Sequence, residues 1–365
     1  MDTIAQINGR HTSNLHRYST GTLNKILKLV EAAGARATGE IFAIIEGMTD
    51  RERQAFIAGS FKYRRSQKLK EAIEDLSRDI RNITAARLRE GGRELTKYEI
   101  GFTSDLLSKL TVVASFTPAA VSTAYAAAVA KPMLGVLLRD ELGKQYSAIH
   151  GMLNSTIREG LVGGETNDQV VRRIRGTRAA RYKDGILGGP VKTNIERIVR
   201  TNANHVANVA REHNLEAMGV SEVQWRSTLD GRTSKICAMR DLEVYPLFEG
   251  PRPPAHPNCR SIMEPYIEGF EGNRPFVRDA RKIKDIPSSE RAGIGGQVSA
   301  NTSYPEWFSS QPASFQREWL GAKRYKLYKS GKFPVSRFAD PRTGREYSLE
   351  ILRSMDAEVF SELGI

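Results

Sequence analysis

Residues 223–266 read VQWRSTLDGRTSKICAMRDLEVYPLFEGPRPPAHPNCRSIMEPY, a segment that holds both cysteines, one of the three tryptophans and six of the fifteen prolines of the chain. The residues before it carry helical periodicity, so it interrupts a helical protein with something chemically different. Val223–Thr228 alternates as a short strand does, with Val223, Trp225 and Ser227 on one face. Asp230-Gly231 is a tight-turn signal, because glycine takes positive φ at little cost. Thr233 or Ser234 is placed to cap a helical turn carrying Cys237. Pro251, Pro253, Pro254 and Pro257 each remove a backbone donor, which excludes a helix interior or a central strand. The prolines therefore mark a rigid excursion that ends in His256-Pro257-Asn258-Cys259-Arg260, after which Ser261–Tyr266 resumes a strand.

The ordered set Trp225, Asp230, Arg232, Thr233, Cys237, Pro253, Pro254, His256, Pro257, Asn258, Cys259 and Arg260 resembles the signature of the tailed-bacteriophage head morphogenesis proteins, the minor head proteins that include the F-like protein of phage Mu. The helix around Arg200-Thr201-Asn202 and the basic helical N-terminal region are also similar to members of that family. So is the tail, where Trp307 precedes Gln311-Pro312 and Leu320-Gly321 precedes Ser330-Gly331-Lys332-Phe333. Many members read C-x-x-C after Arg-Thr and C-R-C at the end. Here Ser234 and Ser261 stand at two of those four cysteine positions, which excludes a four-cysteine metal site. The resemblance implies a role in head assembly and in DNA packaging or delivery. The implied partners are the portal and/or major capsid protein, and the implied location is the capsid interior or portal vertex, after synthesis in the host cytoplasm.

The chain has 365 residues, enough for a sizeable core and for two or three sub-domains. Fifty-five Lys and Arg against 42 acidic residues give a net charge of +13, which favours an acidic partner such as non-specifically bound double-stranded DNA or another virion protein. No run of about 18 apolar residues suits a membrane span, and MDTIAQINGRHTSN lacks a basic stretch followed by an apolar one. Two cysteines in a chain of this length make no disulfide framework.

From Ser19 to about Leu110 the pattern is helical. Leu23, Ile26, Leu27 and Val30 form one apolar stripe; Leu69, Ile73, Leu76, Ile80, Ile83 and Leu88 form another, on a helix that Gly91-Gly92 is expected to end. The alanine-rich segment from Phe116 to Leu138, broken by Pro118 and Pro132, reads as a small-residue packing helix over Ala119–Val129. Further helices are predicted over Asp140–Glu159, ended by Gly163-Gly164, over Gln169–Ile174, capped from Thr166-Asn167-Asp168, and over Thr193–Met218. The last has Ile195, Ile198, Val199, Val206 and Val209 as its stripe and Asn202, Asn204, His205 and Asn208 on its polar face. Between these two, Gly176–Lys192 is expected to be an exposed cationic loop. Glu268–Gln297 is poor in large apolar residues and reads as a linker or extended arm. The expected division is 1–115 helical, 116–267 helical plus a small α+β head-morphogenesis-like domain, 268–300 linker and 301–365 a basic aromatic subdomain. The fold class is thus mainly α with a smaller α+β domain.

Three basic stretches are candidates for phosphate contact: Lys62, Arg64 and Arg65 in FKYRRSQKLK, then Arg172, Arg173, Arg175, Arg178 and Arg181, then Lys323 and Arg324. In the last, Trp307, Phe308, Phe315, Trp319, Tyr325 and Tyr328 interleave with cations. That pattern fits base stacking, but a small helical core with a basic rim is the favoured reading. Cys237, His256 and Cys259 offer zinc-type ligands, with Asp230 or Asp241 as a fourth. A Cys237–Cys259 disulfide is a second reading, and the favoured one is buried thiols with a hydrogen-bonded His256, without metal or other cofactor. Asp230 and Arg232 suit a buried pair that fixes the turn. His205 with Cys237, or His256-Pro257-Asn258 as a nuclease-like site, would need a supporting base or phosphate loop that the sequence lacks. The expected class is therefore non-enzymatic, with a metal-dependent DNA-processing nuclease and a basic internal protein ejected with the genome as alternatives.

Overall fold

The computed structural model describes residues 4–108, 117–268, 272–281 and 285–365. In chain order these form α1 (Ile4–Glu46), α2 (Asp50–Ile57), α3 (Arg64–Ser108), α4 (Val121–Ala130), α5 (Leu138–Val162), α6 (Asn167–Arg175) and α7 (Lys192–Ala217). Then come β1 (Glu222–Arg226), β2 (Leu229–Asp230), α8 (Lys235–Arg240), β3 (Val244–Pro246), β4 (Ile262–Pro265), β5 (Asn273–Val277) and β6 (Gly295–Ser299). Five helices close the chain: α9 (Tyr304–Ser309), α10 (Ala313–Leu320), α11 (Ala322–Lys329), α12 (Leu349–Met355) and α13 (Ala357–Glu362). The fold is mainly α, with an α+β part. Leu110 and Phe116, named above as helix limits, lie outside the described residues. Among the described residues no helix is long and apolar enough to cross a membrane.

The chain forms two compact units, each built from separated stretches: a helical unit of Arg17–Leu95 and Tyr125–Val206, and an α+β unit of Met1–His16, Thr96–Ala124 and Ala207–Ile365. In the helical unit the two apolar stripes become one core. Leu23, Ile26 and Val30 of α1 and Leu69, Ile73, Leu76, Ile80 and Leu88 of α3 join Ile149, Leu153 and Ile157 of α5, Ile174 of α6, and Ile195 and Ile198 of α7. Thr49 starts α2 and Thr166 starts α6, each through a reciprocal capping box. α5 ends at Gly163, as expected.

Gly91-Gly92 does not end α3, which runs through both glycines to Ser108. A helical glycine costs about 1 kcal/mol relative to alanine, and here its small size serves packing. The Tyr18 hydroxyl donates to Gly91 O at 2.6 Å. A Cβ on Gly92 would lie 2.8 Å from Cε2 of Tyr125. The Gly176–Lys192 segment is more ordered than an open loop. Asp184 accepts from Thr177 N at 2.7 Å and Thr177 Oγ1 at 2.6 Å, and a π-helical turn spans Leu187–Val191. Arg178, Arg181 and Lys183 stay exposed on it.

In the α+β unit, β1 is the centre of an antiparallel sheet ordered β3-β1-β4, with Val223 opposite Tyr245 and Trp225 opposite Met263. A second sheet is ordered β2-β5-β6, with β2 parallel and β6 antiparallel to β5. The segment read from its composition as a linker or arm thus carries two paired strands in its described residues. They are held by ladder bonds and a few apolar side chains rather than by apolar density: Phe276 is buried, and Gly296, where a Cβ would sit 2.6 Å from the Phe276 ring, makes room for it.

The polar face of α7 is buried rather than exposed. In the helical unit, His205 Nε2 lies 2.9 Å from Ala128 O. In the α+β unit, Asn208 Oδ1 accepts from Met263 N at 2.8 Å and Arg211 donates to Met263 O at 2.9 Å, so this face satisfies the outer edge of β4. Arg211 also donates to Glu99 at 3.0 Å, and His11 Nε2 is 2.8 Å from the other oxygen of that carboxylate. A core of Tyr304, Trp307, Phe308, Phe315, Trp319, Leu320, Leu327 and Phe333 gathers the C-terminal aromatics. They pack against one another, which is the core-with-basic-rim arrangement.

Candidate functional site

The site grows from β1. Its buried Trp225 donates from Nε1 to Ser227 Oγ at 3.0 Å, and Ser227 Oγ donates to Cys237 O at 2.7 Å. Ser234, rather than Thr233, caps α8 and fixes Cys237 in its first turn. Thr233 closes the preceding turn instead, donating from Oγ1 to Thr228 O at 2.5 Å.

Asp230 does not take Arg232 as its main partner. Arg260 meets it in a planar fork, Nη1 to Oδ2 at 2.6 Å and Nη2 to Oδ1 at 2.7 Å. Arg232 adds its backbone N–H at 3.0 Å and one guanidinium contact at 3.3 Å from a side chain that is 30% exposed. Arg232 is two residues from Asp230, and its guanidinium contacts Oδ2 at the longer distance. Arg260 comes from the far end of the proline-rich excursion and faces both oxygens. Burial opposes the charged form of Asp230, but the Arg260 charge and its hydrogen bonds prevail, with help from Arg232, and hold the carboxyl below its usual range.

A second buried pair joins Asp241 to Arg274. Asp241 accepts from Arg274 at 2.8 and 3.1 Å, from Ser227 N at 2.8 Å and from Tyr304 N at 2.7 Å. Arg274 also donates to Ser227 O. Its one trace in the sequence is the alternation of NRPFV, which the polar surroundings conceal.

Cys237 Sγ lies 3.7 Å from Cys259 Sγ and 3.3 Å from His256 Nε2, and both thiols are buried. His256 and Cys259 are brought together by a four-residue turn with a hydrogen bond from Cys259 N to His256 O at 3.2 Å. Pro257 and Asn258 fill its middle, with Asn258 at φ 60°. Proline followed by a positive-φ Asn is the type II preference. Hydrogen bonding to Cys259, then burial, raise the Cys237 pKa well above that of a free thiol. Burial would raise Cys259 too, but hydrogen bonds from Cys237 and His256 and the imidazole charge prevail and hold it well below. Burial would lower His256, and its contacts with Cys259 and Pro257 O raise it. Asp230 and Asp241, the candidates for a fourth metal ligand, are taken by arginines. His205 bonds Ala128 O, and the imidazole beside Cys237 is His256.

Residues 152–264 match the family described as Phage Mu protein F like protein. No curated protein and no solved structure matches the chain. The Mu F-like segment begins within α5 and ends on β4, so it contains the whole motif from Trp225 to Arg260, including Pro254. Residues beyond it complete the packing: Arg274 pairs Asp241, the Tyr304 hydroxyl donates to Asp230 O at 2.9 Å, and Trp319 Nε1 donates to Thr233 O at 2.8 Å.

The basic candidates fall into separate groups. Lys62, Arg64 and Arg65 are exposed around the start of α3, with Arg65 3.4 Å from Glu52. Arg172, Arg173 and Arg175 are exposed on α6. Arg173 pairs with Glu165 at 2.5 Å, and Arg175 lies over the Tyr182 ring. On α11, Lys323 is exposed, whereas Arg324 is half-buried and donates to Tyr347 O at 2.8 Å.

Proposed function

We propose that this chain is a non-enzymatic minor head protein of a tailed phage, docking on the portal or the inner capsid and assisting head assembly and DNA packaging or delivery. The observation that carries this reading is the Mu F-like match over residues 152–264. The motif's own arrangement supports a structural role for it: Trp225 is buried, Asp230 is forked by Arg260, and Thr233 O receives Trp319. These groups are spent on holding the fold. The net charge of +13 supports weak, sequence-independent binding of double-stranded DNA, since the exposed cations are scattered over several elements with no recognition motif to aim them.

Co-expression with the portal protein of the same phage, and separately with its major capsid protein, tests the docking. A stable complex with either is expected, and failure with both overturns the reading. Incubation of the purified protein with supercoiled plasmid and magnesium or zinc is expected to leave the DNA intact. Metal-dependent nicking that survives further purification would establish a nuclease instead.

A further inference from the structure

We propose that Cys237, His256 and Cys259 form a zinc-type metal site with three protein ligands and water in the fourth position. This goes beyond the head-protein reading and does not depend on it.

The distances suit the ion. Bonds of about 2.3 Å to sulfur at a tetrahedral angle place two thiolates about 3.8 Å apart, and the two sulfurs here are 3.7 Å apart. Cys237 Sγ to His256 Nε2 is 3.3 Å, and the three donor atoms all lie within 4.8 Å of one another. Among the described residues this is the one group of His, Cys and carboxylate donors gathered so closely.

Three local devices build the convergence, each belonging to a different piece of chain. The Ser234 cap fixes the first turn of α8 and with it Cys237. The Pro257-Asn258 turn sets His256 and Cys259 on the same side. Met263 at the start of the resumed strand pairs with Trp225, so the segment that follows Cys259 is anchored on β1.

The imidazole is prepared as a ligand. His256 Nδ1 lies 2.9 Å from Pro257 O, and a carbonyl can only accept, so Nδ1 carries the proton. That bond orients the ring with Nε2 facing the sulfurs, so that an ion displacing the Nε2 proton would meet its lone pair, the arrangement that metal-bound histidines use. Two thiolates balance a divalent cation. The soft sulfur and imidazole set selects zinc over magnesium or calcium.

The ligand count stops at three. Asp230 is forked by Arg260, and Asp241 is saturated by Arg274 and two backbone N–H groups. Ser234 Oγ accepts from Cys237 N at 3.3 Å, and Ser261 Oγ lies 3.2 Å from Ser227 Oγ, so the two serines at the other motif positions are occupied with backbone and hydroxyl partners. The thiols are buried while His256 is half-buried with exposed Pro257 and Asn258 beside it, which gives the ion an entry path and its fourth position a water.

The test uses the full chain, purified under reducing conditions with any histidine tag removed. Elemental analysis is expected to find close to one zinc per chain. Replacement by Co2+ is expected to give thiolate-to-cobalt charge-transfer absorption with the visible bands of a tetrahedral ion, both abolished when zinc is added back. Cys237→Ser and Cys259→Ser should each lose the zinc and the cobalt bands, and His256→Ala should weaken retention at least tenfold. Should these variants fold poorly, the cobalt spectrum of the unaltered chain decides by itself. Absence of both zinc and charge-transfer absorption with two freely titrating thiols overturns the site. So does an intact mass short by two hydrogens, which means a disulfide, or a zinc content that well-folded cysteine variants leave unchanged.

Discussion

Asp230 receives both prongs of Arg260 at 2.6 and 2.7 Å and a single longer guanidinium contact from Arg232, so the two arginines should differ sharply when removed. Arg260→Ala leaves a carboxylate that is buried and has lost its main counter-charge, and should cost about 3 to 5 kcal/mol. Arg232→Ala removes a part-exposed contact and should cost no more than about 1 kcal/mol. Urea unfolding of both variants checks the order, and equal losses would restore Arg232 as the partner. The same carboxylate gives a pH signature. Its folded pKa is depressed by Arg260 against the pull of burial. Its stabilisation is therefore fully present above the ordinary Asp value of about 3.9 and is lost as pH falls through the lower folded value. Asp230→Asn should be less stable than the unaltered chain at neutral pH, and the difference should shrink on acidification, as paired unfolding curves at pH 7 and in acid will reveal. The sequence shows that Asp230 needs a cation, but not which one, because Arg260 is thirty positions away and only the folded excursion returns it.

Glycine inside a helix has opposite consequences depending on what stands beside it. On α3, Gly92→Ala would gain helix propensity but drive a Cβ to 2.8 Å from the Tyr125 ring, so it should lower the melting temperature. On α5, exposed Gly151 has nothing within 4 Å of an added Cβ, and Gly151→Ala should raise stability by about 0.5 to 1 kcal/mol. If both changes stabilise, the Tyr125 contact is not what holds Gly92. This contrast explains which elements were legible. The apolar stripes of α1, α3 and α7, the Thr166 cap and the Gly163 stop are local patterns, and each is present in the fold. The run of α3 through Gly91-Gly92, the strands β5 and β6 and the burial of the polar face of α7 depend on distant partners. These are Tyr18 and Tyr125, the ladder between residues 273–277 and 295–299, and the edge of β4 at Met263, none of which a local window contains. The motif stretch was legible as turn, cap and rigid excursion because proline, glycine and serine act locally. The pairing of Asp241 with Arg274 was not, since Arg274 sits in a segment whose composition resembles a linker.

For the molecule as a whole, the question is which surface carries the proposed assembly role. DNA binding should be weak and should fall steeply with salt, with a slope of about −0.9 per phosphate neutralised on a double-logarithmic plot. Arg172→Ala should weaken all sequences alike, and filter binding at two salt concentrations with two unrelated duplexes reads both effects. A preferred sequence would contradict it. The proposed docking should be more specific. The apolar stripe of the N-terminal helices is consumed in the core of the helical unit, with Leu69, Ile73 and Ile80 fully buried, so it is not available to a partner. Recognition through these helices must use their solvent side, where Lys70 pairs with Glu74 and Arg78 with Asp75. Such local surface pairs add little to stability, so changing them tests the proposed binding face without unfolding the helix. Reversing the charges of Lys70, Glu74 and Arg78 should therefore leave the circular dichroism spectrum and melting temperature unchanged while reducing incorporation into particles. Undiminished incorporation of these variants, combined with lost infectivity from His256→Ala or Cys237→Ser in equally well-folded protein, would move the function to the central loop. A cationic rim that merely gathers on DNA would instead lose incorporation in proportion to charge removed, whichever helix it is removed from, and comparing α3 with α6 variants of equal charge separates that outcome from a docking face.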